Sequence, residues 1–441
     1  MRAQVVPLYF RRDRTEKFDT QRARIRHQLG EYLELLPERA LGDTIPEEAD
    51  AVVFPEILGE AYERYQQFAE LEVPIIILTS EFMTISMWDW EIIHVLSQQG
   101  VKVLAPYHID QTKTICRGLT SKRSLASSQF LIFQDNPGEG FQPDIFKCFY
   151  WWTDECTRRI EDTFGVKILR KSLKELGDIE HSISEERALE EVSTWDSYPV
   201  DDLVTKDMKV QAARYYLAVK EVLRDIPAAG IGSNCLNESH YSSTTPCLAW
   251  NLLFEREKIL WACEGDIHTL VTKYILYHSL QTPVMMSNIY PVLMGMAALK
   301  HENIPNFPEI LDHPEDHILM AHCGYFGLAP QSFSTSWSVK KKVLKIVNES
   351  AHMLDARFPA GPVTLAKLDS SMGKMMVAQG MLKGYVQYPG SDCLNGAIIK
   401  IADGHEFMKR TYSHHLLVLT GHHRKHIELI ADIFNLEIDR L

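Results

Sequence analysis

Short aliphatic and β-branched runs alternate with amphipathic stretches through the first third of the chain. Val5 to Phe10, Ala51 to Phe54, Val73 to Thr79, Val101 to Pro106 and Phe130 to Gln134 have the length and composition of strands. Thr20 to Leu36 and Trp88 to Gln99 carry helical periodicity. Strand followed by helix at this spacing predicts a parallel sheet, because parallel neighbours need a long crossover and its helix must bury an apolar stripe on the sheet. Turn formers crowd Asp135-Asn136-Pro137-Gly138-Glu139-Gly140 and mark a boundary. The pattern resumes with an apolar-periodic stretch from Ile145 to Phe164, a strand at Val166 to Leu169 and a long helix at Lys206 to Asp225. Strands follow at Ala228 to Ser233, Ile259 to Cys263, Val284 to Ser287 and Ile318 to Ala321.

Beyond residue 330 the crossovers shorten. Val363 to Leu368, Gly384 to Val386, Ala397 to Ile401 and His415 to Leu419 predict an antiparallel sheet or small barrel, with a closing helix near His426 to Phe434. The expected α/β architecture is therefore two N-terminal doubly wound parallel domains followed by a C-terminal antiparallel β domain. The first, residues 1–140, is flavodoxin-like; the second spans 141–330; the barrel-like third spans 331–441.

Composition narrows the function classes. The 441 residues are 45% hydrophobic and 24% charged, ordinary values for a globular chain, which excludes disorder and a disulfide-stapled mini-domain. The longest apolar run, Val73 to Leu78, is far short of the roughly 18 residues a spanning helix needs, so no membrane span is expected. Arg11 and Arg12 follow the first apolar stretch rather than precede it, which argues against a secretory signal. Eight cysteines without a CxxC spacing suit reduced thiols in a cytoplasmic protein. A formal charge of −13 disfavours nucleic acid, and Lys340-Lys341-Lys342 is expected to be the solvated face of a helix. The sequence has no GxxxxGK[ST] loop, which disfavours ATP chemistry.

Candidate chemistry lies where polar residues close the strands of the middle segment. Glu238 comes just past Ala228 to Ser233, Glu264 past Ile259 to Cys263, Asn288 past Val284 to Ser287 and His322 past Ile318 to Ala321. Ligand sites in open α/β sheets form outside the carboxyl ends of parallel strands, so these four ends would share one polar site. Carboxylate with imidazole suits a borderline divalent ion such as Mn²⁺. Thr244-Thr245-Pro246 offers a hydroxyl cap and a first-turn proline for the intervening helix.

With these residues the chain resembles the L-fucose isomerase and L-arabinose isomerase superfamily, metal-dependent enzymes that interconvert aldoses and ketoses. Ala262-Cys263-Glu264-Gly265-Asp266 is similar to the family's strand-ending Glu-Gly-Asp, and Ala321-His322-Cys323-Gly324 to its metal-site histidine segment. Ser413-His414-His415-Leu416 looks like its His-His strand, in which the second histidine is the ligand. Alternation along a strand lets only one of His414 and His415 face the ion, and the resemblance favours His415. The resemblance implies metal ligation by Glu264, Asn288, His322 and His415, and proton transfer by Glu264 or Glu238 through an enediolate. It also implies a sugar substrate, Mn²⁺ as the ion in such a site, and a homo-oligomer, trimer or hexamer, with pockets at subunit contacts, which Glu81 and Asp89 would reach.

One position departs from the family pattern. Where a second acidic ligand stands, this chain has Asn288, whose neutral carbonyl can coordinate a cation but cannot act as a base. An epimerase or lyase on a related sugar, or a non-catalytic sugar-binding protein, is the alternative expectation. Asp266 is read as either a helix-dipole partner or a support for the site. Trp88, Trp90, Trp151 and Trp152 are candidate sugar-stacking faces, and Lys367 and Lys374 are candidates to face a substrate anion from the C-terminal β domain, with solvation the default expectation for a lysine.

Overall fold

The computed structural model describes residues 1–10, 14–57, 59–136, 148–195, 198–292, 313–323, 327–342, 348–387 and 395–441. The boundary expected at residue 140, the start of the Ile145 to Phe164 stretch and Gly324 lie outside the described residues. The chain packs into two compact units. One comprises Met1–Ser124, His278–Gln281 and Lys425–Glu437; the other comprises Leu125–Tyr277, Thr282–Arg424 and Ile438–Leu441.

The first unit is built on a parallel sheet of β1 (Ala3–Tyr9), β2 (Leu33–Leu35), β3 (Arg39–Ala40), β4 (Ala51–Phe54), β5 (Ile75–Ile77) and β6 (Val103–Leu104). Its order is β2-β1-β4-β5-β6, with β3 also beside β1, so chain order reverses at β1 as in a doubly wound sheet. Val6, Leu8, Val52, Phe54, Ile75 and Ile77 are buried in one apolar cluster. The helix expected over Thr20 to Leu36 is shorter: it runs Glu16–Leu29 and gives way to β2. The Thr15 hydroxyl accepts the Phe18 amide 3.0 Å away at its start, and Gly30 closes it.

The second unit holds a parallel sheet and an antiparallel one. β7 (Gln129–Phe133), β8 (Lys167–Lys171), β9 (Gly230–Ser233) and β10 (Leu260–Ala262) form the parallel sheet in the order β10-β9-β7-β8. β7 therefore does not end the N-terminal sheet, where the sequence placed it. Its run Phe130 to Phe133 is buried throughout, as an interior strand requires, but such a run carries no mark of which sheet will take it.

β11 (Val284–Pro291) and β12 (His317–Ala321) depart further from expectation. They pair antiparallel with each other and with strands from the end of the chain, rather than continuing the parallel sheet. β13 (Ser336–Lys341) and β14 (His352–Arg357) form a separate ribbon. β15 (Gly361–Leu368), β16 (Lys374–Gln387), β17 (Asn395–Lys400), β18 (His415–Thr420) and β19 (Glu437–Arg440) complete the order β15-β18-β11-β12-β17-β16-β19. Because β15 also pairs β16, the six strands from β15 through β16 close on themselves in a barrel-like ring. Residues on both sides of 330 thus share one sheet and one compact unit, so the packing does not divide there.

Two local expectations are also corrected. Lys340 and Lys341 lie on β13 rather than on a helix, and Lys340 Nζ sits 2.8 Å from Asp201 Oδ2. The hydroxyl of Thr245 does not cap the helix Cys247–Glu257. It donates to the His352 carbonyl and accepts the His352 amide at 3.2 Å, tying β14 to the helix start. Among the described residues no helix is long and apolar enough to cross a membrane.

Candidate metal centre

All residues of the centre belong to the second unit. β10 ends at Ala262 and the chain turns through Cys263–Gly265, with Glu264 held at φ 55° and ψ 22°. A left-handed backbone at a residue with a side chain costs on the order of 1–3 kcal/mol, and it persists only where surrounding contacts enforce it. Here those contacts are visible. The indole of Trp152 donates to the Glu264 carbonyl at 2.8 Å, and Gly265, itself at φ 62°, packs against Gly232 of β9. A Cβ on Gly232 would stand 3.2 Å from the Gly265 Cα, so glycine there lets the turn approach the neighbouring strand.

The barrel supplies the imidazoles. His415, the first residue of β18, lies opposite Asn288 of β11, which in turn lies opposite Ala321, the last residue of β12 before His322. His415 Nε2 is 3.6 Å from Glu264 Oε1, while His415 Nδ1 is 2.9 Å from Asp266 Oδ2. Asp266 also accepts the Thr269 amide at 2.7 Å and the Thr269 hydroxyl at 2.6 Å, capping the helix Ile267–Leu280, and Lys367 Nζ stands 3.3 Å away. Asp266 thus serves both roles considered for it. With the Asp266 carboxylate on Nδ1, His415 is held with Nε2 toward Glu264, the arrangement that orients metal-binding histidines.

Donor atoms in the turn and on the rim group into two triplets, Cys263–Glu264–His322 and Glu264–His414–His415, each with its ligand atoms within 4.8 Å of one another. His414 as well as His415 thus approaches Glu264, while His322, expected to share one ion with His415, falls in the other triplet. His414 lies in a bend before β18 begins, so strand alternation does not govern it. His322 is 2% exposed, yet neither ring nitrogen has a hydrogen-bond partner. Asn288 Nδ2 donates to the Tyr290 hydroxyl at 3.1 Å, while its Oδ1 is buried and accepts no hydrogen bond. Buried polar atoms without partners cost free energy, and these are ligand atoms, so the donor set fits a bound divalent cation.

Electrostatics favour the same arrangement. Burial pushes the Glu264 carboxyl up, but attraction to His415, His322 and His414 outweighs it and leaves the group below its ordinary value. For Asp266, burial is likewise overcome by Lys367 and His415, which hold it far below the usual carboxylate range. Burial, reinforced by repulsion from His415, takes His322 down to about 3, and His414 falls to about 4 for the same reasons. His322 and His414 are thereby ready to bind a cation without first losing a proton. For His415, burial is outweighed by the attraction of Glu264 and Asp266, which raises its pKa, so that cation binding there releases a proton.

Other candidate residues fall elsewhere. Glu238 is buried, and its carboxylate accepts the amides of Asp135 at 3.0 Å and Asn136 at 2.8 Å, linking the loops after β9 and β7. Burial raises its pKa against those amides, and it joins neither donor triplet. Trp151 and Trp152 are buried rather than open faces, with the Trp151 ring 5.0 Å from that of His415. Trp88 is 72% exposed and lies in the first unit, as does Asp89, whose carboxylate bonds the Thr79 hydroxyl. Lys374 is exposed, but Lys367 is fully buried against Asp266, contrary to the solvated role expected of it. Cys263 adjoins Glu264 in the motif without being singled out by it, while His414 ranks there behind His415 and Lys367 is expected in solvent. Compared with known proteins, the chain matches no protein-family model and no curated sequence.

Proposed function

We propose that this protein is a divalent-metal-dependent aldose–ketose isomerase acting on a monosaccharide or modified monosaccharide, similar to the L-fucose and L-arabinose isomerases, with Mn²⁺ as its ion. The observation that carries this reading is Glu264 lying among His322, His414 and His415 while Asp266 fixes the far nitrogen of His415. Glu264, His414 and His415 would hold the ion, with the Asn288 carbonyl as a neutral further donor and His322 in the other triplet that Glu264 joins. When bound, the ion supplies Lewis-acid polarisation of the sugar's carbonyl and neighbouring hydroxyl oxygens.

The rest falls to side chains. Moving a proton between C1 and C2 needs a base that is ionised at neutral pH, and Glu264 is held so by its imidazole neighbours. Asp266 and Lys367 keep His415 in one orientation, and Trp151 and Trp152 cover that side of the centre with apolar rings. Glu238, with its oxygens occupied by backbone amides, suits positioning better than proton transfer. A cytoplasmic trimer or hexamer is part of the same proposal.

A screen of aldoses and ketoses after chelation, with Mn²⁺, Co²⁺ or Mg²⁺ added back, tests it. Activity should vanish with the chelator and return with Mn²⁺, deuterium from D₂O should enter at C2, and Glu264→Gln should lower kcat by about 10²–10⁴-fold. Full activity in Glu264→Gln would refute the assignment, and cleavage products in place of the isomeric sugar would indicate a lyase.

A further inference from the structure

We propose that the centre has two cation positions: a thiolate-bearing one formed by Cys263, Glu264 and His322, beside one formed by Glu264, His414 and His415, with the Glu264 carboxylate shared between them. The inference rests on the metal-centre reading above and adds a second site to it. The five donors do not form one cluster; they separate into two triplets whose common member is Glu264. A single carboxylate oxygen has two lone-pair sites and can bridge two ions, which leaves the other oxygen of Glu264 for proton transfer, and in two-metal sites the ions stand about 3.5–4 Å apart.

Two further observations point to an occupant beside Cys263. His322 is buried with both ring nitrogens unpartnered, so the site offers an imidazole lone pair that no protein group uses. Cys263 is itself 3% exposed, and its sulfur lies 3.8 Å from that of Cys235 on the neighbouring strand end, a weak thiol contact that leaves its ligand capacity intact. A cation arriving here forms a sulfur–metal bond as the thiol proton leaves to solvent. Sulfur with imidazole and carboxylate selects Zn²⁺, Co²⁺ or Fe²⁺ over Mn²⁺ and Mg²⁺, whereas the carboxylate and two imidazoles of the other position accept Mn²⁺. The two positions therefore differ in metal preference. Together they would grip the adjacent oxygens of a hydroxy-carbonyl compound from two sides.

Titration of Co²⁺ into the chelator-stripped, reduced full chain decides the matter by metal content and absorption. The expected result is two cobalt ions per chain, one of them bringing a thiolate-to-cobalt charge-transfer band in the near ultraviolet. Cys263→Ser should remove that band and one ion, and His414→Ala should remove the other ion and leave the band. Saturation at one ion without the band overturns the second position while leaving the metal-centre reading standing. No bound cobalt overturns both. The wild-type spectrum and stoichiometry settle the point even if a variant fails to fold.

Discussion

Asp266 does two jobs that are separable by substitution. Its carboxylate fixes His415 and neutralises the buried Lys367. Asp266→Asn alone leaves an uncompensated buried cation, which costs about 3–5 kcal/mol. Combining it with Lys367→Met removes that penalty but not the loss of orientation at His415. The double variant should therefore fold with near-native stability in urea yet bind Mn²⁺ about 10–100-fold more weakly by calorimetry. Asn288→Asp should act in the opposite direction, tightening Mn²⁺, because its Oδ1 already lies buried without a partner on the barrel rim and gains a charge there. Unchanged affinity in Asn288→Asp would remove that residue from the centre. At this scale a polar residue closing a strand was a partial guide: Glu264 and His322 fall in the donor groups, whereas Glu238 does not and Asn288 lies inside β11 rather than at its end. Lys367 was misplaced in solvent, since a lysine's burial depends on a carboxylate a hundred residues away.

The element that sets the geometry is the turn after β10. Glu264 is held in a left-handed conformation by the Trp152 contact and by close packing of Gly265 on Gly232. Gly232→Ala should force the turn away from β9, at a cost of about 1–3 kcal/mol in stability. Metal affinity should drop with it, because the Glu264 carboxylate moves as the turn moves; a variant that loses stability but binds metal normally would show that the turn is not what positions Glu264. Strands of this kind were legible as strands, and Ala51 to Phe54 and the helix Lys206–Asp225 appear at the bounds read from the pattern. Their partners were not. An apolar run such as Val284 to Ser287 is compatible with either a parallel interior strand or a barrel strand. Only pairing with β18, which lies more than a hundred residues downstream, decides between them.

Across the whole molecule, buried histidines make stability depend on pH. Burial brings His352 from 6.5 down to about 4, His278 to about 4 and His268 to about 3. Between these values and about 6.5 the unfolded chain binds more protons than the folded one, so the stability they contribute is present above pH 6.5 and is lost as pH falls toward 4. The urea midpoint should decline through that window, less steeply in His352→Gln, and a flat profile would contradict the burial described here. The gross architecture of parallel sheets followed by an antiparallel barrel-like sheet was legible because crossover length changes along the chain. The division into two compact units was not, because segments near 280 and 430 return to the N-terminal unit and no local pattern announces a return. What joins these scales is the claim that Glu264 and the rim histidines bind a divalent cation. Electron spin-echo spectroscopy of the Mn²⁺-loaded protein tests it most directly: the account predicts nitrogen modulation from bound imidazole, diminished in His415→Ala, whereas bound Mn²⁺ coupled only to water protons, or no bound Mn²⁺, would contradict it.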